Sequence, residues 1–333
     1  MSPPVVVITG ASAGVGRAVV RAFAGRGAAV GLLARGRAGL EAAAAEAREL
    51  GSPAALAIPT DVADADAVES AADRIERELG PIDVWVNNAM LSVFAPAYEI
   101  TAAEYRRVTD VTYLGQVHGT LAALRRMRPR NRGAIILVGS ALAYRGIPLQ
   151  AAYCASKHAV EGFFDSLRCD LLHERSGVRV SHIVLPALNT TQFGWVRNRM
   201  PRQPQPVKPI YQPEVAARAI VWAAEHGPRE ISVGYPSVLT QWANKLIPGL
   251  LDRYLARTAV SGQQTEQLVD PATLEDNIDR PLDDDEDRGA HGTFGGESAD
   301  SSPQLWATTH KPHVAALVTA GGALASLGLA RWR

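Results

Sequence analysis

Apolar residues in the first two thirds of the chain form short continuous runs, separated by longer segments in which they recur with a helical period. The run Val5–Thr9 is typical of a strand buried on both faces of a parallel sheet, because such strands lack the apolar–polar alternation of a half-exposed sheet. The same pattern predicts six further strands, at residues 29–34, 54–58, 83–86, 134–138, 178–185 and 230–233.

Amphipathic segments between these runs predict helices at residues 14–25, 40–50, 65–79, 101–128, 153–174 and 213–225. Two helices begin with a recognisable signal: Thr101 and Glu104 form a capping-box pattern, and Pro213 suits the first turn of a helix. The alternation of strands and helices predicts right-handed crossovers. We therefore expect an α/β fold with a doubly wound parallel sheet, the Rossmann arrangement.

The chain also divides into regions by pattern and charge. Residues 1–236 are predicted to form the Rossmann-type domain, and residues 237–258 an amphipathic C-terminal extension. Residues 270–300 contain eleven acidic and two basic residues, a net charge of −9, with few apolar anchors. Such a composition is typical of segments that cannot bury enough apolar surface to fold. The sequence therefore predicts an acidic flexible linker over residues 259–312.

The last region, residues 313–333, is an apolar tail. Residues 314–330 carry no charge, and Arg331 and Arg333 follow them. This stretch is slightly shorter than the about 20 apolar residues that span a bilayer as a helix. The tail is therefore a candidate membrane anchor, and the alternative is an amphipathic or a dimer-packing tail.

Composition and charge narrow the class of protein. Of the 333 residues, 47% are hydrophobic and 20% charged, as in ordinary globular proteins. Lys+Arg and Asp+Glu both number 34, and a net charge of zero argues against a dedicated nucleic-acid binder. The two cysteines, Cys154 and Cys169, fall in one predicted helix and show no metal-ligand spacing, so we expect neither a disulfide framework nor a metal site. No signal-peptide pattern opens the sequence, which favours a cytoplasmic protein, membrane-associated only if the tail anchors it.

A glycine-rich turn follows the first predicted strand, at residues 9–16 (TGASAGVG). Gly10, Gly14 and Gly16 allow a tight turn and close approach of a pyrophosphate to backbone N–H groups, and the next helix adds positive potential at its N-terminus. The G-x-x-x-G-x-G spacing differs from the usual G-x-G-x-x-G fingerprint. The turn therefore predicts a dinucleotide site, with a simple tight turn as the alternative.

The end of the second strand indicates which nucleotide would bind. An acidic residue there would accept a hydrogen bond from a ribose 2′-hydroxyl and repel a 2′-phosphate. Here the strand ends at Ala34 and is followed by Arg35 and Arg37, and a guanidinium suits a phosphate. The sequence therefore favours NADP(H) over NAD(H), unless Arg35 is only a solvated loop residue.

Three side chains carry the candidate chemistry. Ser140 ends the fifth predicted strand, and Tyr153 and Lys157 are four residues apart in the following helix, so they share one helix face. A phenol titrates near ~10, and a neighbouring ammonium group would lower that pKa. The serine hydroxyl can donate to the same carbonyl oxygen. Together these groups predict a proton-transfer site for a carbonyl or an alcohol.

Over about residues 5–233 the sequence resembles the short-chain dehydrogenase/reductase family in its single-domain form. The motifs that carry the resemblance are residues 9–16, Asp61-Val62, Asn87-Asn88-Ala89, and Ser140 with Tyr153-x-x-x-Lys157. The resemblance implies that Tyr153 is the general acid or base, that Lys157 binds the nicotinamide ribose and lowers the pKa of Tyr153, and that Ser140 orients the substrate carbonyl. It implies cofactor contacts from Gly10, Ser12, Gly14, Val15, Gly16, Arg35, Asp61, Val62, Asn88, Tyr153, Lys157, Pro186 and Thr190.

The chain departs from the family pattern at three positions. Met90 stands where a glycine is common, and Ala187 follows Pro186 where the family has Pro-Gly. Thr112 takes the place of an asparagine that holds a proton-relay water, which makes Thr112 a candidate catalytic residue with a changed role. These departures leave two functions open, a working enzyme and a non-catalytic NADP-binding scaffold or sensor.

The predicted substrate is a hydrophobic ketone or secondary alcohol. Residues 189–211 lie where the family has its substrate lid, and they include Phe193, Trp195 and Met200. The favoured function is therefore an NADP(H)-dependent oxidoreductase that transfers a hydride to or from an apolar carbonyl compound. The resemblance also implies a homodimer or homotetramer.

Overall fold

The computed structural model describes residues 3–311. Its strands are β1 Val5–Thr9, β2 Ala29–Ala34, β3 Ala55–Pro59, β4 Ile82–Asn87, β5 Val93–Phe94, β6 Gly133–Val138, β7 Val178–Val184, β8 Arg197–Asn198, β9 Arg202–Pro204, β10 Ile210–Tyr211, β11 Glu230–Ser232, β12 Gln264–Leu268 and β13 Ser298–Ala299. Its α-helices are α1 Gly14–Ala24, α2 Arg37–Glu49, α3 Ala65–Leu79, α4 Ala102–Thr109, α5 Gly115–Met127, α6 Ala151–His173, α7 Gln192–Trp195, α8 Pro213–His226, α9 Tyr235–Leu246, α10 Pro248–Gly262 and α11 Pro303–Thr309.

Seven of these strands form one parallel sheet in the order β11-β7-β6-β4-β1-β2-β3. The direction of winding reverses between β1 and β4. Ligands of doubly wound sheets bind in the crevice at the carboxyl ends of the strands at this switch point. The glycine-rich turn after β1 and Asn88 after β4 meet there. The predicted fold class is confirmed.

Apolar side chains fill both faces of the sheet, because successive strand residues point to opposite sides. Val6 and Ile8 of β1 belong to the core that includes α1 and α8. Val5 and Val7 belong to the opposite core, together with Phe164 of α6. All five are at most 3% exposed, so both layers hold the carboxyl ends of the strands in fixed positions.

The single helix predicted over residues 101–128 is interrupted. It begins with the predicted capping box, in which the Thr101 hydroxyl accepts from Glu104 N–H and the Glu104 carboxylate accepts from Thr101 N–H. One π-helical turn, Asp110–Leu114, then separates α4 from α5. Such turns insert an extra residue and frequently occur at functional sites, and this one contains Thr112.

The acidic segment is folded against the rest of the chain, which differs from the flexible linker predicted over residues 259–312. The strand β12 pairs with β9, β13 pairs with β10, and Ile278 is 1% exposed. Arg197 contacts Asp276 at 2.8 Å and Asp279 at 2.7 Å. Composition alone does not reveal that arginines of the Rossmann domain surround these acids and compensate their charge.

The C-terminal extension also continues beyond the predicted boundary at residue 258, since α10 ends at Gly262. The predicted tail, residues 313–333, lies outside the described residues. Within residues 3–311, none of the helices combines the length and the apolar character needed to cross a bilayer.

Candidate active site

The glycine-rich turn forms a close-packed cradle at the end of β1. Gly10 and Gly14 adopt left-handed backbone conformations, with φ of +65° and +55°, which favour glycine. A Cβ at Gly16 would overlap the carbonyl oxygen of Gly10. Asn88 braces the turn, because its side-chain amide donates to Thr9 O at 3.0 Å. A pyrophosphate could therefore approach this backbone closely, which fits the predicted nucleotide site.

A groove runs from this cradle toward the ends of β2 and β3. Its cavity of about 170 Å³ is lined by the predicted cofactor residues Gly10, Ser12, Gly14, Val15, Arg35, Asp61, Val62, Asn88 and Thr190. Gly16 supports the turn from behind and is not part of this lining. The structure therefore brings the glycine cradle and Asp61-Val62, two parts of the predicted cofactor site, into one groove.

Asp61 lies at the far end of the groove with a charged partner. The Arg107 guanidinium donates to it at 2.6 Å, and the N–H of Ala63 donates at 3.0 Å. Burial alone raises the pKa of Asp61, but these two hydrogen bonds outweigh it and hold the pKa below its ordinary value. Asp61 is therefore ionised at neutral pH and can accept a hydrogen bond from a ligand.

A second cavity of about 530 Å³ holds the candidate catalytic residues Ser140, Tyr153 and Lys157, together with Pro186. It shares Val15, Asn88, Met90, Thr190 and Gln192 with the first cavity. The groove, called the nucleotide groove after its predicted ligand, is therefore continuous with the cavity that holds the candidate catalytic residues.

The three candidate catalytic side chains are arranged around the ends of β6 and α6. The hydroxyls of Ser140 and Tyr153 lie near each other, and both residues line the larger cavity. The Lys157 ammonium nitrogen lies 5.5 Å from the centre of the Tyr153 ring and donates to Val138 O at 2.6 Å. The i, i+4 spacing thus places the amine beside the phenol, as the sequence predicts.

Burial dominates the proton affinities of this group. It raises the pKa of Tyr153, and the nearby Ser140 hydroxyl only partly offsets this effect. Lys157 is 1% exposed, and burial lowers its pKa to about 7. The family resemblance implies a lowered Tyr153 pKa, whereas in this structure the pKa is raised. The neutral phenol therefore predominates at neutral pH.

The buried amine predicts an unusual dependence of stability on pH. Lys157 has a folded pKa of about 7 against an ordinary value of 10.5, so the unfolded chain binds the extra proton between these values and stability rises with pH. In Lys157→Met this dependence disappears, while Val138 O keeps its hydrogen bond from Gln116 Nε2 at 3.1 Å. We expect the unfolding free energy of the unmodified chain to rise relative to the variant by about 1 kcal/mol per pH unit above pH 7.

Chemical unfolding of both proteins at pH 7, 8 and 9 measures this difference. Lys245→Met is a matched control, because Lys245 is an exposed residue of α9 that water solvates in both states. A difference between Lys157→Met and the unmodified chain that stays constant with pH would contradict the buried, desolvated amine.

Thr112 has other partners than the relay role would require. It is fully buried, and it lines neither cavity described above. Its hydroxyl donates to Leu91 O at 3.0 Å and accepts from Leu91 N–H at 2.9 Å. The single hydroxyl proton is thus already used, so Thr112 holds the loop that carries Met90 instead of reaching the cavity.

The structure contains a buried ion-pair cluster close to Ser140 that the sequence does not predict. His182 Nδ1 lies 2.7 Å from Glu161 and 3.3 Å from Glu230. Burial lowers the pKa of His182, but the two carboxylates outweigh this and raise it. A Cβ at Gly139 would overlap the His182 ring, so the cluster fixes the backbone directly before Ser140.

The C-terminal extension forms one wall of the larger cavity. The sequence predicts the extension but not this position. Leu251, Tyr254 and Leu255 of α10 line the cavity. Gln263 anchors this helix, because Gln150 Nε2 donates to Gln263 Oε1 at 2.7 Å in a buried position. The amphipathic pattern of residues 237–258 indicates a packed helix but not its partner.

The predicted lid residues separate into different environments. Phe193 lines the larger cavity, whereas Trp195 lines the nucleotide groove. Met200 packs against a small cluster that includes Phe94 and Val196, and Met200 itself lines neither cavity. Only part of the predicted lid therefore faces the larger cavity.

Comparisons with known proteins agree with this geometry. The family model described as short chain dehydrogenase matches residues 4–201. The uncharacterized oxidoreductase YxnA of Bacillus subtilis (strain 168) is 33% identical over 269 residues, which cover 80% of this chain and 75% of that protein. The 11-beta-hydroxysteroid dehydrogenase A of Sesamum indicum is 31% identical over 257 residues, covering 74% and 73% respectively. The chain spans about half the length of several other curated relatives.

A solved structure supports the same conclusion. The alcohol dehydrogenase from the archaeon Thermococcus sibiricus, complexed with 5-hydroxy-NADP, superposes with a TM-score of 0.60 at 27% identity. The match covers 70% of this chain and 96% of that one. The matching family model, the similar relatives and the Rossmann-type fold show that the chain belongs to the short-chain dehydrogenase/reductase family of oxidoreductases.

Proposed function

We propose that the protein interconverts a ketone and a secondary alcohol on a hydrophobic substrate, with a nicotinamide nucleotide as hydride carrier. The observation that carries this proposal is the lining of the larger cavity, where Ser140, Tyr153 and Lys157 face the same space as the cradle residue Val15. The nucleotide supplies the hydride chemistry when it is bound. The fit rests on the glycine cradle, because Gly10 and Gly14 line the groove without side chains.

The side chains of this site would manage the proton. In ketone reduction, the neutral Tyr153 phenol donates its proton to the carbonyl oxygen, and the Ser140 hydroxyl donates a hydrogen bond to the same oxygen. The phenol carries this proton at neutral pH, since burial holds its pKa above the ordinary value. Lys157 would hold the nicotinamide ribose, and its burial keeps water away from the amine.

The lining of the larger cavity supports an apolar substrate. Its side chains include Met90, Leu142, Ile147, Leu185, Leu188, Phe193, Leu251 and Leu255. A volume of about 530 Å³ is in the range of pockets that bury a drug-sized molecule. The name of the sesame relative, an 11-beta-hydroxysteroid dehydrogenase, is consistent with a substrate of steroid-like size and polarity.

Ala34 and Arg35 predict NADP(H) from the sequence, and the Thermococcus neighbour is a complex with an NADP derivative. The choice between NADP(H) and NAD(H) depends on the surroundings of Arg35. Association as a homodimer or homotetramer, a cytoplasmic location and attachment through the tail stay sequence predictions, which light scattering and membrane fractionation of the full chain would test.

A non-catalytic nucleotide-binding scaffold is the second candidate function. The observation that favours it is the engagement of Thr112 by Leu91, which leaves the threonine hydroxyl no proton for a relay water. Against it stands the shared cavity of Ser140, Tyr153 and Lys157.

A turnover assay separates these two functions. Oxidation of NADH and NADPH is followed over a panel of aliphatic, aromatic and steroid ketones. The enzyme proposal expects turnover with at least one apolar ketone. Tight nucleotide binding without turnover on any ketone, or on the matching alcohols in the reverse direction, would support the scaffold.

A further inference from the structure

The folded acidic segment lies against the edge of the nucleotide groove. It reaches the first turn of α2, the helix that follows β2. The N–H of Gly39 donates to Asp283 O at 2.9 Å, the N–H of Ala38 donates to Asp284 O at 3.1 Å, and the N–H of Arg37 donates to the Asp284 carboxylate at 2.9 Å. The first N–H groups of a helix are a ready anion site, but these three already have acceptors.

The same segment engages the arginine that the sequence assigns to a 2′-phosphate. Arg35 Nη1 donates to Ile278 O at 3.1 Å, and its Nη2 donates to Asn277 O. Burial and the nearby Arg107 lower the pKa of Arg35, while acidic neighbours including Asp61 and Asp283 partly offset this. Both groups that would favour a phosphate, the guanidinium and the helix N-terminus, are therefore bound by the chain itself.

The end of β2 supplies no carboxylate to the groove, and Asp283 places one there. Asp283 is 5% exposed and lines the groove together with Ser12 and Arg35. A Cβ at Gly36 would overlap its carboxylate, so the close approach depends on glycine at that position. Among residues 3–311, no donor forms a hydrogen bond with this carboxylate. Because it borders the open groove, this carboxylate can accept hydrogen bonds from a ligand.

We propose that Asp283 determines nucleotide specificity: its carboxylate accepts hydrogen bonds from the adenosine ribose hydroxyls, so that the chain prefers NAD(H) to NADP(H). A ribose 2′-hydroxyl supplies the missing donor, whereas a 2′-phosphate brings negative charge beside a buried carboxylate. A NAD-type site carries an acidic residue at the end of its second strand. Here that strand ends at Ala34, and Asp283, which lies 249 positions later in the sequence, would supply the carboxylate. This reverses the NADP(H) preference that the sequence around Arg35 predicts, and it rests on the proposed nucleotide binding.

Equilibrium binding tests this role independently of turnover. Dissociation constants of the full chain are measured by calorimetry for NAD⁺ and NADP⁺, and for ADP and 2′,5′-ADP, which carry only the adenosine end. We expect NAD⁺ to bind at least about 10-fold more tightly than NADP⁺, and Asp283→Asn to reduce this ratio by about 10-fold or more. Asp285→Asn, an exposed acid of the same segment, removes the same charge and should leave the ratio unchanged.

A second variant reaches the same end without touching Asp283. Gly36→Ala places a Cβ against the carboxylate and should displace it, moving the NAD⁺/NADP⁺ ratio in the same direction as Asp283→Asn. An unmodified chain that prefers NADP⁺, or an unchanged ratio in both variants, would overturn the role of Asp283 while leaving the proposed function intact. Absence of binding of all four nucleotides would overturn the proposed function and this inference together.

Discussion

Replacing Tyr153 with phenylalanine should lower kcat/KM for ketone reduction by about 10²–10⁴-fold, the usual contribution of one general acid. The phenylalanine ring keeps the packing of this partly buried side chain but has no proton for the carbonyl oxygen. Nucleotide binding should change little, because the glycine cradle and the groove beyond it are unaltered. Steady-state rates on the best ketone of the panel, with dissociation constants from the same preparations, measure both effects.

Tyr105→Phe is the matched control for this substitution. The Tyr105 hydroxyl donates to Ala97 O at 3.2 Å in an exposed position, outside both cavities. Its removal should leave turnover within about twofold, as expected for a surface substitution. Equal activity of Tyr153→Phe and the unmodified chain would rule out Tyr153 as the proton donor.

Replacing Gly16 with alanine should destabilise the fold and weaken nucleotide binding, although alanine normally stabilises a helix. Gly16 lies in the first turn of α1, and the added Cβ would overlap the Gly10 carbonyl oxygen. Backbone cannot move aside as a flexible side chain can, so we expect a loss of about 1–3 kcal/mol or more in unfolding free energy. Chemical unfolding and nucleotide titration of the same variant measure the two effects.

Gly162→Ala tests the same exchange where space is open. Gly162 is inside α6, and a Cβ there would meet no atom within 4 Å. Alanine should therefore stabilise the protein by about 0.5–1 kcal/mol. The account of the cradle fails if Gly16→Ala behaves like Gly162→Ala.

The central sheet and its helices could be predicted from the sequence because their patterns are local. The strand Ala29–Ala34 and the helix Ala65–Leu79 have the bounds that the apolar pattern predicts. The positions of Ser140, Tyr153 and Lys157 in one cavity follow from the same local rules, since a strand end and one helix face suffice to bring them together.

The acidic segment could not be predicted in the same way, because its stability comes from distant partners. Its charge pattern is typical of disorder, yet Arg17 and Arg197 pair with its acidic side chains, and Arg35 donates to its backbone carbonyls. The Asp283 carboxylate at the groove likewise depends on Gly36, whose spacing to it in sequence carries no signal. Long-range charge pairing therefore determines whether the acidic segment folds, which its composition alone does not show.

Deuterium transfer tests the proposed chemistry most directly. The full chain is incubated with reduced nucleotide dideuterated at nicotinamide C4 and an apolar ketone, and the alcohol is analysed by mass spectrometry. We expect one deuterium on the carbinol carbon, with product formation strongly reduced in Tyr153→Phe. Alcohol formed without deuterium, or at an equal rate in Tyr153→Phe, would contradict hydride transfer assisted by Tyr153.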